Sequence, residues 1–354
     1  MTRVYLDYNA TTPMGAEARA AMIRAMDLLG NPSSVHAEGR AAKAMVEEAR
    51  TQVARLVDCL PAEVVFTSGA TEAAQILSAG LPDRTFFVEP TAHDALLSQS
   101  ADLSKQVTDT LAMGLANSET GIINLIPTKS GGGWHVGDRS ATWLLLDITQ
   151  AAGRIPFSFQ ESGAEFALLS AHKLGGPKGI GALIVKQGVE IPALAKGGGQ
   201  EMGRRSGTEN VIGIAGFGAA AAAAETGLRK DRWKEVDGFR KILENALAAE
   251  AMTTIFVGKD VPRLPNTSCF ATPGWKSETQ VMQMDLAGFA ISAGAACSSG
   301  KVRPSTVLLA MGYDEAVASS AIRVSLGLET TEEEVRRFAA AWLEKERKFR
   351  ARAA

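Results

Sequence analysis

Between Phe166 and Val185 the chain runs apolar, polar, glycine-rich and apolar again: Phe166-Ala-Leu-Leu169, Ser170-Ala-His-Lys173, Leu174-Gly-Gly-Pro-Lys-Gly-Ile-Gly181, then Ala182-Leu-Ile-Val185. Both apolar runs have the length of short buried strands, and the turn between them is forced by glycines and a proline. A lysine delivered at the end of a buried strand lies near the interior. Desolvation there lowers its pKa and frees the amine for Schiff-base chemistry. The same residues also fit a glycine-rich surface loop, and the stretch alone does not separate the two readings.

The rest of the chain narrows the fold that can carry such a stretch. Strand candidates Val4-Tyr-Leu6, Val64-Val-Phe66, Phe86-Phe-Val88, Leu111–Leu115 and Trp143-Leu-Leu-Leu146 alternate with helical spacing over 15–29 and 38–57, a helix opening at Thr71 and another near 94–100. Short apolar strands between helices predict an α/β fold with a mostly parallel sheet covered on both faces. The alanine-rich stretch 210–229 reads as a packed helix. Beyond about residue 230 the order changes to a charged helix, strands near 253–257 and 267–271, a helix at 277–286, the run Ile322–Leu326 and a terminal helix at 331–348. A second, smaller α+β domain is expected there. With 354 residues, 46% of them hydrophobic, the chain suffices for two such cores. A net charge of -2 gives no electrostatic case for nucleic acid or an anionic membrane. No run of 18 apolar residues and no signal-peptide core occur, and the three cysteines, Cys59, Cys269 and Cys297, are too few for a disulfide framework. A soluble, cytoplasmic protein in a reducing compartment is expected.

Several motifs fall where such a fold places chemistry. Thr67-Ser-Gly-Ala-Thr71 joins a strand to a helix whose free N–H groups suit a phosphate, although an ordinary helix cap uses the same residues. Asp147 ends a buried strand at the carboxyl edge, where open sheets bind ligands, with Gln150 three residues on; capping of a helix is the alternative. His93 follows another strand, whereas His36 and His135 read as structural. Gly197–Thr208 carries two arginines among glycines and fits either an anion nest or a surface loop. Cys297 lies among small residues and nearby cations, the setting of a reactive thiol, while Cys59 and Cys269 sit among apolar residues as buried hydrophobes. Arg323, inside an apolar strand pattern, needs an anionic partner, and a substrate carboxylate would supply one.

The order of these motifs is more specific than any one of them. Tyr5-Leu-Asp-Tyr-Asn-Ala-Thr-Thr-Pro13, Gly30-Asn-Pro-Ser-Ser34, Thr67–Glu72, His93, Asn117-Ser-Glu-Thr-Gly121, Asp147-Ile-Thr-Gln150, Ser170-Ala-His-Lys173, Arg205-Ser-Gly-Thr208, Cys297 and Ser320-Ala-Ile-Arg323 together resemble the cysteine desulfurases. These are pyridoxal-phosphate enzymes of the class V aminotransferase group, and Ser292-Ala-Gly-Ala-Ala-Cys297 is similar to the branch with a long cysteine loop. The resemblance implies a fold type I large domain over 14–229, and a small domain over 1–13 and 230–354 that carries the cysteine loop.

It further implies that Lys173 holds the cofactor and moves the substrate Cα proton, that Asp147 pairs with the pyridinium nitrogen, and that His93 stacks on the ring. Ala70, Thr71, Ser170 and His172 would bind the phosphate, joined by Thr208 of a second subunit in a homodimer. Gln150 would contact the phenolic oxygen, as would Asn117 or Ser118. Arg323 would clamp the carboxylate of L-cysteine, and Cys297 would take its sulfur as a persulfide, leaving alanine. A sulfur-acceptor protein is then expected, as in iron–sulfur cluster assembly, and no metal. Two features depart from the family: Ala92 stands where relatives often have Glu, and the interval from His93 to Asn117 is short, so a strand or helix on that flank is expected to be missing. A selenocysteine lyase, a related class V lyase and a weakly active or non-catalytic paralogue are the alternatives.

Overall fold

The computed structural model describes residues 3–80, 85–100, 107–137, 139–194, 196–294 and 303–353. They divide into two compact units, Thr12–Leu115 with Asn124–Arg229, and Met1–Thr11 with Ala116–Ile123 and Lys230–Ala354. The excursion Ala116–Ile123, expected in the larger domain, belongs to the smaller one. Ala116 pairs with Ile123 across its turn, and Ile122 bridges to Arg263. Thr12 and Pro13 join the larger unit instead, because Thr12 N–H donates to the His172 carbonyl at 2.8 Å.

The larger unit is built on a sheet with the spatial order Val64–Thr67, Gly181–Val185, Phe166–Ser170, Arg139–Asp147, Val107–Gly114, Phe86–Val88. Gly181–Val185 runs against both neighbours and the remaining pairings are parallel, so the sheet is mostly parallel as expected. On the flank of the short interval, the described strands end at Phe86–Val88. The carboxyl ends at Thr67, Val88, Gly114, Asp147 and Ser170 share one edge of the sheet. Gly181 joins them there, opposite both Thr67 and Ser170.

The apolar runs form strands because they are buried on both faces; every residue of Phe166–Ser170 and Gly181–Val185 is buried. A hairpin, Thr128–Ser130 with Gly133–Val136, adds to Arg139–Asp147 and was not foreseeable from its polar, exposed first strand. Buried Glu165 fastens it, accepting from Lys129 Nζ at 2.6 Å, Trp134 Nε1 at 2.8 Å and Leu144 N–H at 2.9 Å. The helix predicted near 94–100 is a single turn, Asp94–Leu97.

Helix Val211–Arg229 packs on helices Ala16–Met26 and Ala37–Val57. It is long and apolar enough to cross a membrane by length and composition, yet half of its most apolar window is buried within the fold. Its small residues serve close packing: a Cβ on Gly218 would lie 2.5 Å from Ala49 Cα. His36 caps Ala37–Val57 by accepting from Gly39 N–H, and His135 bonds the Ser130 carbonyl, so both are structural as expected.

The smaller unit holds a four-stranded antiparallel sheet, Ile255–Phe256, Thr267–Ala271, Ala321–Ser325, Ser292–Ala293, and a parallel pair of Val4–Tyr5 with Phe289–Ala290. Helices Arg232–Glu250, Ser277–Leu286 and Glu332–Ala353 accompany them. Its core centres on Phe270 and Trp342, packed edge to face at 5.4 Å. Buried Gln280 is fully used there: its amide donates to the Trp275 and Ser320 carbonyls and its oxygen accepts from Trp342 Nε1.

Gly181 sits at the tightest point of the ligand edge, where a Cβ would lie 2.6 Å from the Leu169 carbonyl oxygen and 2.7 Å from Gly69 Cα. Gly181→Ala is therefore expected to cost about 1–3 kcal/mol of unfolding free energy, read as a lowered urea midpoint. Gly238→Ala, in a helix where nothing lies within 4 Å of the new methyl, should move the midpoint the other way.

Candidate active site

The larger unit gathers most of the sequence-predicted residues on the carboxyl edge of its sheet. After Thr67, Ser68 and Gly69 lead into helix Ala70–Gly80, so Ala70 and Thr71 form its first turn with N–H groups that have no partner inside the helix. Glu72 folds back: its Oε2 accepts Ser68 N–H at 2.6 Å and its Oε1 accepts Arg205 Nε at 3.0 Å. Burial raises the Glu72 carboxyl, but donation from Arg205 and Ser68 outweighs it and holds the pKa below the ordinary value. Arg205 thereby anchors the glycine-rich segment beside the helix start, while Thr208 stays exposed.

That segment is also tethered deeper. Glu201 and Met202 adopt left-handed backbone, φ +48° and +57°, which side chains adopt reluctantly. The buried Glu201 carboxylate accepts Arg50 Nη1 at 2.8 Å, Arg50 Nη2 at 2.9 Å and Phe66 N–H at 2.9 Å, and this holds the turn in place. Neither partner was singled out in the sequence, because they lie far apart in it.

Lys173 lies in the single 3-10 turn Ala171–Lys173 that follows Phe166–Ser170, and is half-buried. Its carbonyl accepts Thr12 Oγ1 at 2.8 Å and Arg154 Nη2 at 3.2 Å. Arg154 is buried and also donates to Gln150 Oε1, so one guanidinium links Gln150 to the lysine turn. Arg154 and Thr12 are site residues that strand-edge reasoning missed. His172, beside Lys173, is half-buried; burial and then the charges of Lys173 and Lys178 lower its pKa to about 4. It is a neutral imidazole near pH 7.

Asp147 is buried at the end of its strand, with Oδ1 accepting Thr149 N–H at 2.9 Å. The neighbouring Thr149 hydroxyl is buried with no hydrogen-bond partner among the described residues. His93 caps its short helix through Nδ1, which accepts Ala95 N–H at 3.1 Å, so its proton sits on Nε2 and the ring is exposed. Ala92 is 4% exposed and packs in the apolar core beneath it.

Within the smaller unit lie Asn117, Ser118 and Arg323. The structure separates the first two. Asn117 Oδ1 accepts the N–H groups of Glu119 and Thr120, both at 2.9 Å, as an Asx turn, whereas Ser118 is half-buried. Arg323, in strand Ala321–Ser325, donates to Asp7 Oδ1 at 2.8 Å and to the Ser118 carbonyl at 3.0 Å. Cys297 lies outside the described residues. Cys59 and Cys269 are buried as expected, and burial pushes both thiols up, Cys269 to about 12.

The donor set of the larger unit fits pyridoxal phosphate. A helix start, two hydroxyls and a neutral imidazole suit the phosphate, a buried carboxylate suits a ring cation, an amine suits the aldehyde, and an orphaned threonine hydroxyl marks polar space beside the carboxylate. No group of three or more His, Cys, Asp or Glu side chains arranged for a metal ion occurs among the described residues.

Comparison with known proteins agrees over almost the whole chain. The profile of the aminotransferase class-V family matches residues 4–111 and 96–338. A cysteine desulfurase of Cereibacter sphaeroides is 35% identical over 377 aligned residues, covering 95% of this chain and 94% of that one. One from Sinorhizobium fredii is 36% identical, covering 95% of each. The solved structure of a NifS-like protein shares 30% identity at a TM-score of 0.85, covering 97% of this chain and 99% of its own. The chain belongs to the aminotransferase class-V family and, within it, to the cysteine desulfurases.

Proposed function

We propose that the chain is a pyridoxal-phosphate-dependent cysteine desulfurase that removes sulfur from L-cysteine, releases L-alanine and carries the sulfur as a persulfide on Cys297. The observation that carries this reading is the lysine turn, Ser170–Lys173, held at the ligand edge beside the helix start at Ala70 and the buried carboxylate of Asp147. The relatives named cysteine desulfurase supply the substrate.

Each side chain then has a task that follows from its surroundings. Thr71, Ser170 and the Ala70–Thr71 N–H groups receive the phosphate, and neutral His172 donates a hydrogen bond to it without adding charge. Asp147 carries the negative charge that keeps the ring nitrogen protonated, and the bound cofactor supplies an electron sink for the substrate's Cα. Lys173 Nζ holds the cofactor and moves the Cα proton. Gln150, its oxygen turned to Arg154, and the Ser118 hydroxyl serve the phenolic oxygen. His93, its ring exposed and its Nδ1 taken by Ala95 N–H, would hold the cofactor ring. Arg323 binds the substrate carboxylate. The Cys297 thiolate attacks the substrate sulfur; an S–S bond forms as the Cβ–S bond breaks, and the carbon skeleton takes up protons to become alanine.

Cys297 is the thiol for this task because Cys59 and Cys269 are buried and held protonated. Thr208 is exposed on its own unit, and a homodimer in which it reaches the partner's phosphate site completes the reading. An acceptor protein then collects the sulfur in a reducing, cytoplasmic setting.

Loading with pyridoxal phosphate should give a visible absorption band that Lys173→Ala abolishes; a protein that stays colourless with the cofactor would leave only the non-catalytic alternative. Cys297→Ser should keep the band but stop sulfide release from L-cysteine under a reductant, with the persulfide adduct missing from mass spectra. Undiminished turnover of that variant would point instead to a lyase that needs no thiol.

For His172 the folded pKa is depressed from 6.5 to about 4, so the unfolded state binds more protons between those values. Its contribution to stability is complete above about 6.5 and is lost as pH falls through about 4. In the cofactor-free protein, His172→Gln should flatten the fall of denaturant midpoint over that window. An unchanged slope would remove His172 from the acid response.

A further inference from the structure

Arg323 already has an anion. Asp7 Oδ1 accepts its Nη2 at 2.8 Å, the Ser118 carbonyl accepts its Nη1 at 3.0 Å, and Nε is buried with no hydrogen-bond partner among the described residues. The Arg323 side chain is 9% exposed and that of Asp7 15%. The pair is rigidly framed. Asp7 bridges in parallel to Ser325, two residues along the arginine strand, its carbonyl accepts the Tyr5 hydroxyl, and its second carboxylate oxygen, Oδ2, accepts the Ser292 hydroxyl at 2.8 Å. Ser292 in turn faces Arg323 across the sheet. The Ser118 carbonyl is shared with Asn9 Nδ2. A guanidinium has five N–H donors, and this arrangement binds one at Nη2 and one at Nη1 while leaving Nε–H unmatched.

We propose that Asp7 is the resident counter-ion of Arg323 and sets the affinity of the site for the substrate carboxylate. The inference rests on the reading of Arg323 as the carboxylate clamp. Without an anion beside it a buried guanidinium is costly, so Asp7 offsets the desolvation of Arg323 and keeps it oriented in the free enzyme. The same negative charge opposes a second carboxylate arriving at the remaining donors, and the substrate must share the guanidinium with it. Asp7 therefore acts through Arg323 as a positioning residue that weakens carboxylate binding while keeping its geometry.

Asp7→Asn removes the charge but retains an oxygen for Nη2 and a polar group for Ser292. The probe is 3-mercaptopropionate, which has the substrate's thiol and carboxylate but no amine, measured by calorimetric titration of the cofactor-loaded enzyme against its neutral amide, 3-mercaptopropanamide. Asp7→Asn should bind the carboxylate about three- to tenfold more tightly and the amide as before, with a lowered KM for L-cysteine. Equal or weaker carboxylate binding overturns the proposal if Arg323→Gln abolishes binding of the same probe. If Arg323→Gln leaves probe binding intact, the clamp reading fails and the proposal with it. Should Asp7→Asn not fold, Ser292→Ala provides the opposite sign: losing the donor on Oδ2 concentrates the carboxylate on Arg323, and the probe should bind about two- to threefold more weakly. Tighter or unchanged binding there overturns the role of Asp7.

Discussion

The Lys173 carbonyl accepts two hydrogen bonds, from the Thr12 hydroxyl and the Arg154 guanidinium, and the position of the lysine turn in the larger unit depends on them. A lysine at a strand end is useful only if the backbone beneath it does not move, since its flexible stem gives no precision of its own. The strand Phe166–Ser170 fixes the turn from one side through its pairing with Gly181–Val185. Thr12 and Arg154 fix it from the other. Arg154 then passes that constraint to Gln150, so Gln150 and the lysine turn share a single buried support.

Three of the buried arginines, Arg50, Arg154 and Arg323, meet different partners. Arg50 meets a full carboxylate in Glu201 and carries a strained turn; Arg323 meets Asp7; Arg154 donates to two neutral oxygens, Gln150 Oε1 and the Lys173 carbonyl. The charge-paired arginines hold geometry against desolvation.

Much of the framework was legible in the sequence because burial on both faces writes itself as apolar runs. Thr267–Ala271 and Ser277–Leu286 match their predicted bounds, and Lys173 and Asp147 stand at strand ends as the pattern requires. What stayed hidden was long-range or polar. Thr128–Ser130 is exposed and carries no periodic signal, and Glu165 binds it only through three-dimensional contacts. The partners of Arg154, Thr12 and Asp7 come from distant parts of the sequence, so only the fold reveals them. Asn117 and Ser118 were interchangeable on paper, and only the turn reveals that Asn117 Oδ1 is taken up by the backbone. Ala92 packs as a small core residue.

The pairing of Val4–Tyr5 with Phe289–Ala290 has a consequence for how the chain is made. On the ribosome the larger unit has all its segments once residue 229 has emerged, although Val64 must wait for Ile184, about 120 residues later. Val4–Tyr5, by contrast, waits for Phe289–Ala290, which is made after every segment of the larger unit. During that interval Val4–Tyr5 and Asp7 lack their native partners. Arg323 is synthesised later still, 316 residues after Asp7, so the pair forms only once the segments between them have been made.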